Sequence, residues 1–164
     1  MGRIAVLGIG IESAGQAGYM SDSIEFQRRF GRVRVMREGE LRIHAPRPRA
    51  WVRVSIRTVT CEGAGVVITH DRRELRRGAA VQVRFQVAGR PVCVPGTIAW
   101  YRHGDGSPGR VNAGVRFFVE AAARDTSRIF ADWIVSLLIG PAPTELPAEL
   151  FAWRDRILHA RPAM

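Results

Sequence analysis

The first candidate for chemistry is a glycine-rich segment near the start of the chain. An apolar run that begins at Arg3 ends in Gly8-x-Gly10, and small residues follow it. A strand that leads through G-x-G-x-x-G into a helix is the phosphate-binding element of dinucleotide enzymes. Ser13 stands where the third small residue of that pattern belongs, and residues 32–118 show almost no helical periodicity. A doubly wound fold must alternate strand and helix, so the sequence argues against this hypothesis.

The same segment makes a poor secretory signal. Its apolar run Ile4–Ile11 is short, is preceded by a single arginine and is followed directly by the charged residue Glu12. Met20, which precedes "SDSIEFQRRF", could be the natural start of the chain. We therefore expect residues 1–25 to be a poorly ordered or mis-annotated extension, separate from a main domain at 26–139 and a helical tail at 140–164.

The second candidate is a basic segment, "QRRFGRVRV", that stands just before the first predicted strand. Arg28 and Arg32 are four residues apart, and Arg29 is adjacent to Arg28. Guanidinium groups fork onto phosphate oxygens and onto guanine O6 and N7, and they stack on bases. The segment is therefore suited to an anionic nucleotide, although it could also be a solvated basic patch in an arginine-rich chain.

Composition narrows the classes of function. The net charge is +10 and all 25 basic residues are arginine, which makes an anionic partner plausible without proving one. No apolar run reaches the roughly 18–20 residues that a membrane span needs. Cys61 and Cys93 have no metal or redox spacing, and the four histidines are scattered. We expect a reduced, cytoplasmic protein with no metal and no cofactor, and the lack of catalytic motifs predicts that it is not an enzyme.

The middle of the chain has a period of two. In "VQVRFQV" the apolar residues Val81, Val83, Phe85 and Val87 share one face, and "WVRVSIRT" repeats the pattern. Turn signals at Glu38-Gly39, Pro46–Pro48, Arg77-Gly78, Gly89–Pro91 and Asp105-Gly106 divide the region into short strands. Strands that are apolar on one side must curl to bury that side, which predicts a small antiparallel barrel or sandwich. Pro95-Gly96 predicts a bulge that bends a long strand.

Helical patterns follow the strands. Asp125 or Thr126 can cap a helix that ends before Gly140-Pro141, with an apolar stripe formed by Ile129, Phe130, Trp133, Ile134, Leu137 and Leu138. A second helix is predicted from near Pro147, with Leu150, Phe151, Ile157 and Leu158 as its apolar residues. Such stripes pack against a barrel or against a second copy of the chain.

Together these segments resemble a PilZ domain, the bacterial module that binds cyclic di-GMP. That family places R-x-x-x-R before a six-stranded antiparallel barrel, then a D-x-S-x-x-G turn, a strand of the kind "V.G.V.W", a strand that ends "GV.F", and a helix. This chain has Arg28 and Arg32, "VPGTIAW" at 94–100 and "AGVRFF" at 113–118. The resemblance covers about residues 26–139 and implies a mainly β fold with one or two C-terminal helices.

The second motif departs from the family pattern. The preferred register sets Thr60-x-Glu62-x-x-Gly65 over D-x-S-x-x-G, so that only Gly65 matches. A register two residues earlier, Thr58-x-Thr60-x-x-Gly63, keeps a hydroxyl at the Ser position and also lacks the Asp. The Asp of the family accepts hydrogen bonds from guanine N1–H and N2–H₂, and a threonine hydroxyl accepts more weakly. Glu62 could supply a carboxylate or repel the phosphates.

The resemblance implies a second-messenger receptor that binds cyclic di-GMP through Arg28, Arg29, Arg32, Thr60, Glu62 and Gly65 and relays to a protein partner. The alternative is a degenerate PilZ-like adaptor that has lost the nucleotide and acts through protein contacts, with the apolar helices as its interface or as a homodimer contact. A barrel that binds RNA or DNA ranks last, because single-strand binders expose aromatic rings and Phe85, Trp100 and Phe117 are predicted to face inward.

We predict that a chain starting at Met20 keeps its thermal stability, because nothing before that residue has a predicted place in the barrel. Differential scanning calorimetry of the full and shortened chains measures this. A melting temperature more than about 5 °C lower, on the order of 1–2 kcal/mol for a chain of this size, would show that Ile4–Ile11 is a core strand.

Overall fold

The structure, a computed structural model, describes residues 32–44, 50–69, 75–103, 109–139 and 148–160. Arg28, Arg29 and the predicted extension at 1–25 lie outside these residues. Within the described residues six strands come first and two helices follow. The strands are β1 (Val33–Ile43), β2 (Val52–Thr60), β3 (Gly63–Thr69), β4 (Ala80–Val87), β5 (Arg90–His103) and β6 (Arg110–Phe117). After a 3₁₀ turn at Val119–Ala121 come helices α1 (Arg124–Ile139) and α2 (Ala148–His159).

The six strands form a closed antiparallel barrel in the order β1-β2-β3-β6-β5-β4, which confirms the predicted fold. Alternation along each strand puts one set of side chains inside, as predicted for β4, where Val81, Val83, Phe85 and Val87 are buried. Closure removes the free edges that an open six-stranded sheet would leave for aggregation.

The predicted turn at Glu38-Gly39 is wrong, because both residues lie inside the single long strand β1. The irregularity in this part of the chain is a β-bulge between Arg34 and Arg37. Gly39 pairs with Val54 on one side and with Phe85 on the other. An added Cβ there would lie 2.8 Å from the Arg84 carbonyl oxygen, so the glycine permits two strands to approach closely.

The predicted bulge at Pro95-Gly96 is also wrong. These residues pair regularly with Gln82 and Val81 of β4, and the irregularity in β5 falls between Ile98 and Trp100, in its pairing with β6. β5 is 14 residues long, so its first half can pair with β4 and its second half with β6.

Helix α1 packs over the end of the barrel that carries the β2–β3 and β4–β5 turns. The Phe130 ring is fully buried and meets the Phe117 ring edge-on, with centroids 5.6 Å apart. Trp133 lies beside Phe85 at 5.4 Å. The predicted apolar stripe is therefore confirmed. The helix begins at Arg124, so Asp125 lies in its first turn and is not its cap.

Helix α2 packs on α1 and adds Leu150, Trp153 and Ile157 to the common core. Trp153 was not among its predicted apolar residues, and Phe151, which was, is 38% exposed. Arg154 Nε donates to Asp132 Oδ1 of α1 at 2.7 Å and ties the two helices together at the surface. Neither of the helices described here is long and apolar enough to cross a membrane.

We predict that Phe130→Ala lowers the free energy of unfolding by about 3–5 kcal/mol, the cost of a cavity where a buried aromatic ring stood. Phe151→Ala is the matched control, and its partly exposed ring predicts a loss of about 1 kcal/mol or less. Urea unfolding of both variants measures the difference. Equal losses would show that α1 does not close the barrel core.

Candidate functional site

The strand register brings the end of the basic segment to the β2–β3 turn. Val33, the first residue of β1, pairs with Val59 of β2, and Thr60 pairs with Gly63 across the turn. Arg32 precedes Val33 in the chain and is exposed, so it lies beside the turn that contains Glu62. The structure thus brings together Arg32 and the predicted turn residues, whereas Arg28 and Arg29 lie outside the described part of the chain.

The Thr60 hydroxyl is used within the turn. Its Oγ1 accepts a hydrogen bond from the Glu62 backbone N–H at 3.2 Å and donates to the Gly63 carbonyl oxygen at 3.4 Å. The Glu62 carbonyl oxygen in turn accepts from the Phe117 N–H at 2.7 Å, which joins the turn to the end of β6. The turn is therefore fixed by hydrogen bonds both within itself and to the strand that leads to the helices.

Next to the turn, the outer face of the barrel lacks side chains at two facing positions. Thr58 pairs with Gly65, Gly65 with Gly114, and Gly114 with Trp100, so one row crosses four strands. A Cβ on Gly65 would lie 2.5 Å from Thr58 Oγ1, and one on Gly114 would overlap the Trp100 indole. The Thr58 hydroxyl and the Trp100 indole therefore occupy the places that side chains on the two glycines would fill. Thr58 and Thr60, the hydroxyl residues of the two possible registers of the second motif, both lie on this face.

The prediction that Trp100 faces inward is wrong, because its side chain faces outward and is 38% exposed. The bulge after Ile98 shifts the alternation of β5 by one residue, which sequence periodicity alone does not reveal. Phe85 and Phe117 do face inward, as predicted. The signal that could have revealed Trp100 is Gly114, because a glycine in a strand marks the close approach of another group.

Two arginines that sequence reasoning did not assign lie beside this row. Arg34 is exposed and pairs with Thr58, and Arg116 is exposed and pairs with Gly63. Together with Arg32 they make this face positive. Guanidinium groups bind phosphate, a partly exposed aromatic ring can stack on a base, and the hydroxyls can hydrogen-bond a base edge. The arrangement is suited to bind a nucleotide.

A different cluster lies on the wall formed by β1 and β4. Arg84 donates to the Glu40 carboxylate, and this hydrogen bond lowers the pKa of Glu40. The Trp51 ring lies 4.1 Å from the Arg84 guanidinium and 4.6 Å from that of Arg42. Glu40 and Arg84 also line an open cavity of about 490 Å³. Glu40 compensates the charge of Arg84, and this ion pair joins the two strands on the outer face.

The thiol of Cys61, at the tip of the β2–β3 turn, is buried in the common core. Burial, with a smaller contribution from the neighbouring Glu62 carboxylate, raises its pKa to about 12, while Arg156 of α2 opposes the rise. Cys93 is half-buried on β5, and burial raises its pKa as well. Both thiols are therefore protonated at neutral pH, and the influence of Arg156 shows that α2 lies near the turn.

Comparison with known proteins identifies the class of protein to which this chain belongs. The family model of the PilZ domain matches residues 26–133. The chain therefore belongs to the PilZ family, whose members are binding and regulatory modules. No curated protein matches the sequence.

Several solved structures resemble the fold. The PilZ domain of CeSA from a cellulose-synthesizing bacterium has 16% identity and a TM-score of 0.47, and the match covers 63% of this chain and 93% of that one. The Bacillus subtilis inhibitor of motility MotI/DgrA has 9% identity and a TM-score of 0.49, covering 63% and 47%. Borreliella burgdorferi PlzA, solved in complex with c-di-GMP, has 7% identity and a TM-score of 0.42, covering 60% and 49%.

We predict that stability falls at alkaline pH because of Cys61. A thiol whose folded pKa is raised from 9.0 to about 12 stays protonated in the folded protein while it ionises in the unfolded chain. The free energy of unfolding then decreases as the pH rises from about 9 to about 12, by roughly 2 kcal/mol between pH 8 and pH 10.5.

Urea unfolding at both pH values measures this decrease, and Cys61→Ala should remove most of it. Cys93→Ala is the matched control and should keep most of it, because the more deeply buried Cys61 thiol is unchanged. A Cys61→Ala variant with the slope of the wild type would contradict the assignment.

Proposed function

We propose that this PilZ domain is a receptor for cyclic di-GMP that relays binding to a protein partner. The observation that carries the proposal is the register of β1 with β2, which puts Arg32 beside the Thr60–Gly63 turn. Arg32 then stands at the start of β1, next to a positive face. Arg28, Arg29 and Arg32 would bind the phosphates and guanine edges, and Thr60, Glu62 and Gly65 would form the opposite side of the ligand.

Trp100 and the facing glycines support this proposal. The Trp100 indole lies against Gly114 and remains partly exposed. A base that stacks on an aromatic ring gains about 1–3 kcal/mol whatever its identity. The Thr58 hydroxyl occupies the place that a Gly65 side chain would fill, and it is a second polar group on this face.

The relay would run from the β2–β3 turn to the helices. The Glu62 carbonyl oxygen is hydrogen-bonded to the Phe117 N–H, and Glu120 in the following 3₁₀ turn lies 3.8 Å from Arg156 of α2. A ligand that shifts the turn therefore acts on residues that contact α2. The protein partner, or a second copy of the chain, would detect the change on the surface of α1 and α2. Both cysteines are free, which agrees with a place in the reducing cytoplasm.

One observation favours the adaptor alternative. The Thr60 hydroxyl both donates and accepts within the turn, and no carboxylate stands at the family's Asp position in the preferred register. A degenerate PilZ-like adaptor would need no nucleotide and would use the helices alone. Calorimetric titration with cyclic di-GMP separates the two hypotheses, because only the receptor gives a binding isotherm.

We predict that Arg28→Ala and Arg32→Ala each weaken cyclic di-GMP binding by roughly 1.5–3 kcal/mol, the range for hydrogen bonds to a charged group. Lysine at either position should rescue binding only in part, because it lacks the planar fork. The melting temperature should hardly change, since Arg32 is exposed and precedes β1.

The matched control is Arg77→Ala, which removes one positive charge from the exposed turn before β4, at the opposite end of the barrel. It should bind like the wild type. A wild-type chain with no isotherm would leave the adaptor hypothesis standing. Equal weakening by all three alanine variants would mean that net charge, and not a fork at the site, attracts the nucleotide.

A further inference from the structure

Barrel closure leaves one stretch of β5 paired on one side only. β4 pairs with residues 90–97, and the contacts on that side end with the hydrogen bonds of Ile98, whose carbonyl oxygen accepts from the Gly78 N–H at 2.7 Å and whose N–H donates to the Ala79 carbonyl oxygen at 3.0 Å. β6 continues along the other side of β5 to its last residue. Within the described part of the chain, residues 99–103 therefore have a partner strand on one edge, and we call the other edge the open edge.

The open edge is accessible to another extended chain. A β-bulge between Ile98 and Trp100 lies where the two halves of β5 meet, and a bulge bends its strand. Trp100, Tyr101, Arg102 and His103 are all exposed. A strand with one partner presents unpaired N–H and C=O groups along its other edge, and these groups are a template for an added strand. The open edge therefore offers main-chain hydrogen bonds to a peptide.

The side chains around the open edge are basic. Arg76 and Arg77 are exposed and lie directly before the corner at which β4 leaves β5. Arg102 is exposed on the edge strand itself. The stretches of sequence that contain these residues, 70–77 and 99–110, hold six arginines and only three acidic residues. A chain that pairs with the open edge therefore meets a positive surface.

From the open edge and its charge we infer that this end of the barrel binds an extended acidic segment of a partner protein, which adds as a strand beside residues 99–103. Its carboxylates would lie near Arg76, Arg77 and Arg102, because opposite charges on neighbouring strands attract. A second copy of the chain fits less well, since edge-to-edge pairing would bring the same arginines together, and like charges that face each other destabilise a strand pair. The inference goes beyond the proposed function and uses none of the arginines assigned to the nucleotide.

The test is a fluorescence-anisotropy titration of the full chain with a labelled peptide that alternates glutamate and valine over about eight residues, the length of an ordinary strand. One control peptide alternates lysine and valine. A second control is the acidic peptide with methylated backbone nitrogens, which keeps the carboxylates but cannot donate main-chain hydrogen bonds. We expect the acidic peptide to bind at least about tenfold more tightly than either control, because each main-chain hydrogen bond contributes a factor of roughly 2 to 10. Bound peptide should also slow amide hydrogen exchange within residues 99–103.

Arginine variants test the charge at the edge. Arg77→Ala and Arg102→Ala should each weaken binding of the acidic peptide by up to about fivefold, the range for an exposed ion pair. The matched control is Arg90→Ala, which removes an exposed arginine from the turn between β4 and β5, at the opposite end of the barrel. It should bind the peptide like the wild type.

Equal binding of the acidic peptide and its methylated form would overturn the added strand, because charge alone would then attract the peptide. Equal binding of the acidic and basic peptides, or equal weakening by all three alanine variants, would overturn the role of the arginines at the edge. Exchange in residues 99–103 that is already slow without peptide and speeds up on dilution would place a second copy at the open edge and would also overturn the inference. The peptide titrations of the wild type need no variant, and none of these outcomes bears on cyclic di-GMP binding.

Discussion

The pairing of β1 with β4 closes the barrel, and the rest of the structure depends on it. The two strands are far apart in sequence, and their contact requires Gly39, where any side chain would meet the Arg84 carbonyl oxygen. On the outer face, Glu40 and Arg84 pair across the same two strands, and Trp51 lies against the Arg84 guanidinium. Once the barrel is closed, a slip of one residue in any strand would turn its apolar side chains outward.

The position of the proposed ligand site follows from this fixed register. Because β1 is held between β2 and β4, its first residue lies beside the β2–β3 turn. Helix α1 closes that end with Phe130 and Trp133. The proposed ligand site and the helices therefore lie at the same end of one core. The hydrogen bond from the Phe117 N–H to the Glu62 carbonyl oxygen is a short connection between them.

Much of the fold could be predicted because its cause is local. Strands that alternate apolar and polar residues can bury one face only by curling, and the stripe of α1 needs an apolar surface to cover. The errors at Glu38-Gly39 and Pro95-Gly96 have a different cause. The glycines there permit other strands to approach closely, β4 at Gly39 and β6 at Gly96. A single sequence does not show those partners, so the local turn or bulge was preferred.

The sequence predicted only those parts of the candidate site that follow from the order of motifs along the chain. Arg32 and the turn at Thr60–Gly65 follow one another in the order of the PilZ pattern, but Arg34, Arg116 and Trp100 join them through strand pairing. The use of the Thr60 hydroxyl inside the turn was equally hidden, because it depends on the backbone geometry of Glu62 and Gly63. Sequence patterns therefore predict where such a site lies better than they predict which of its hydrogen-bonding groups are already used within the protein.

The outward position of Trp100 removes one reason for ranking RNA or DNA last, and the geometry around it supplies another. Binders of single strands stack successive bases on several rings along one groove. Among the exposed aromatic residues of the described chain, Tyr101 is the neighbour of Trp100 on β5 and so points to the other face, while Phe118 and Phe151 lie beyond β6. A single ring beside two glycines offers one base a platform. This face therefore fits a compact dinucleotide, whose phosphates stay near the bases, better than an extended strand.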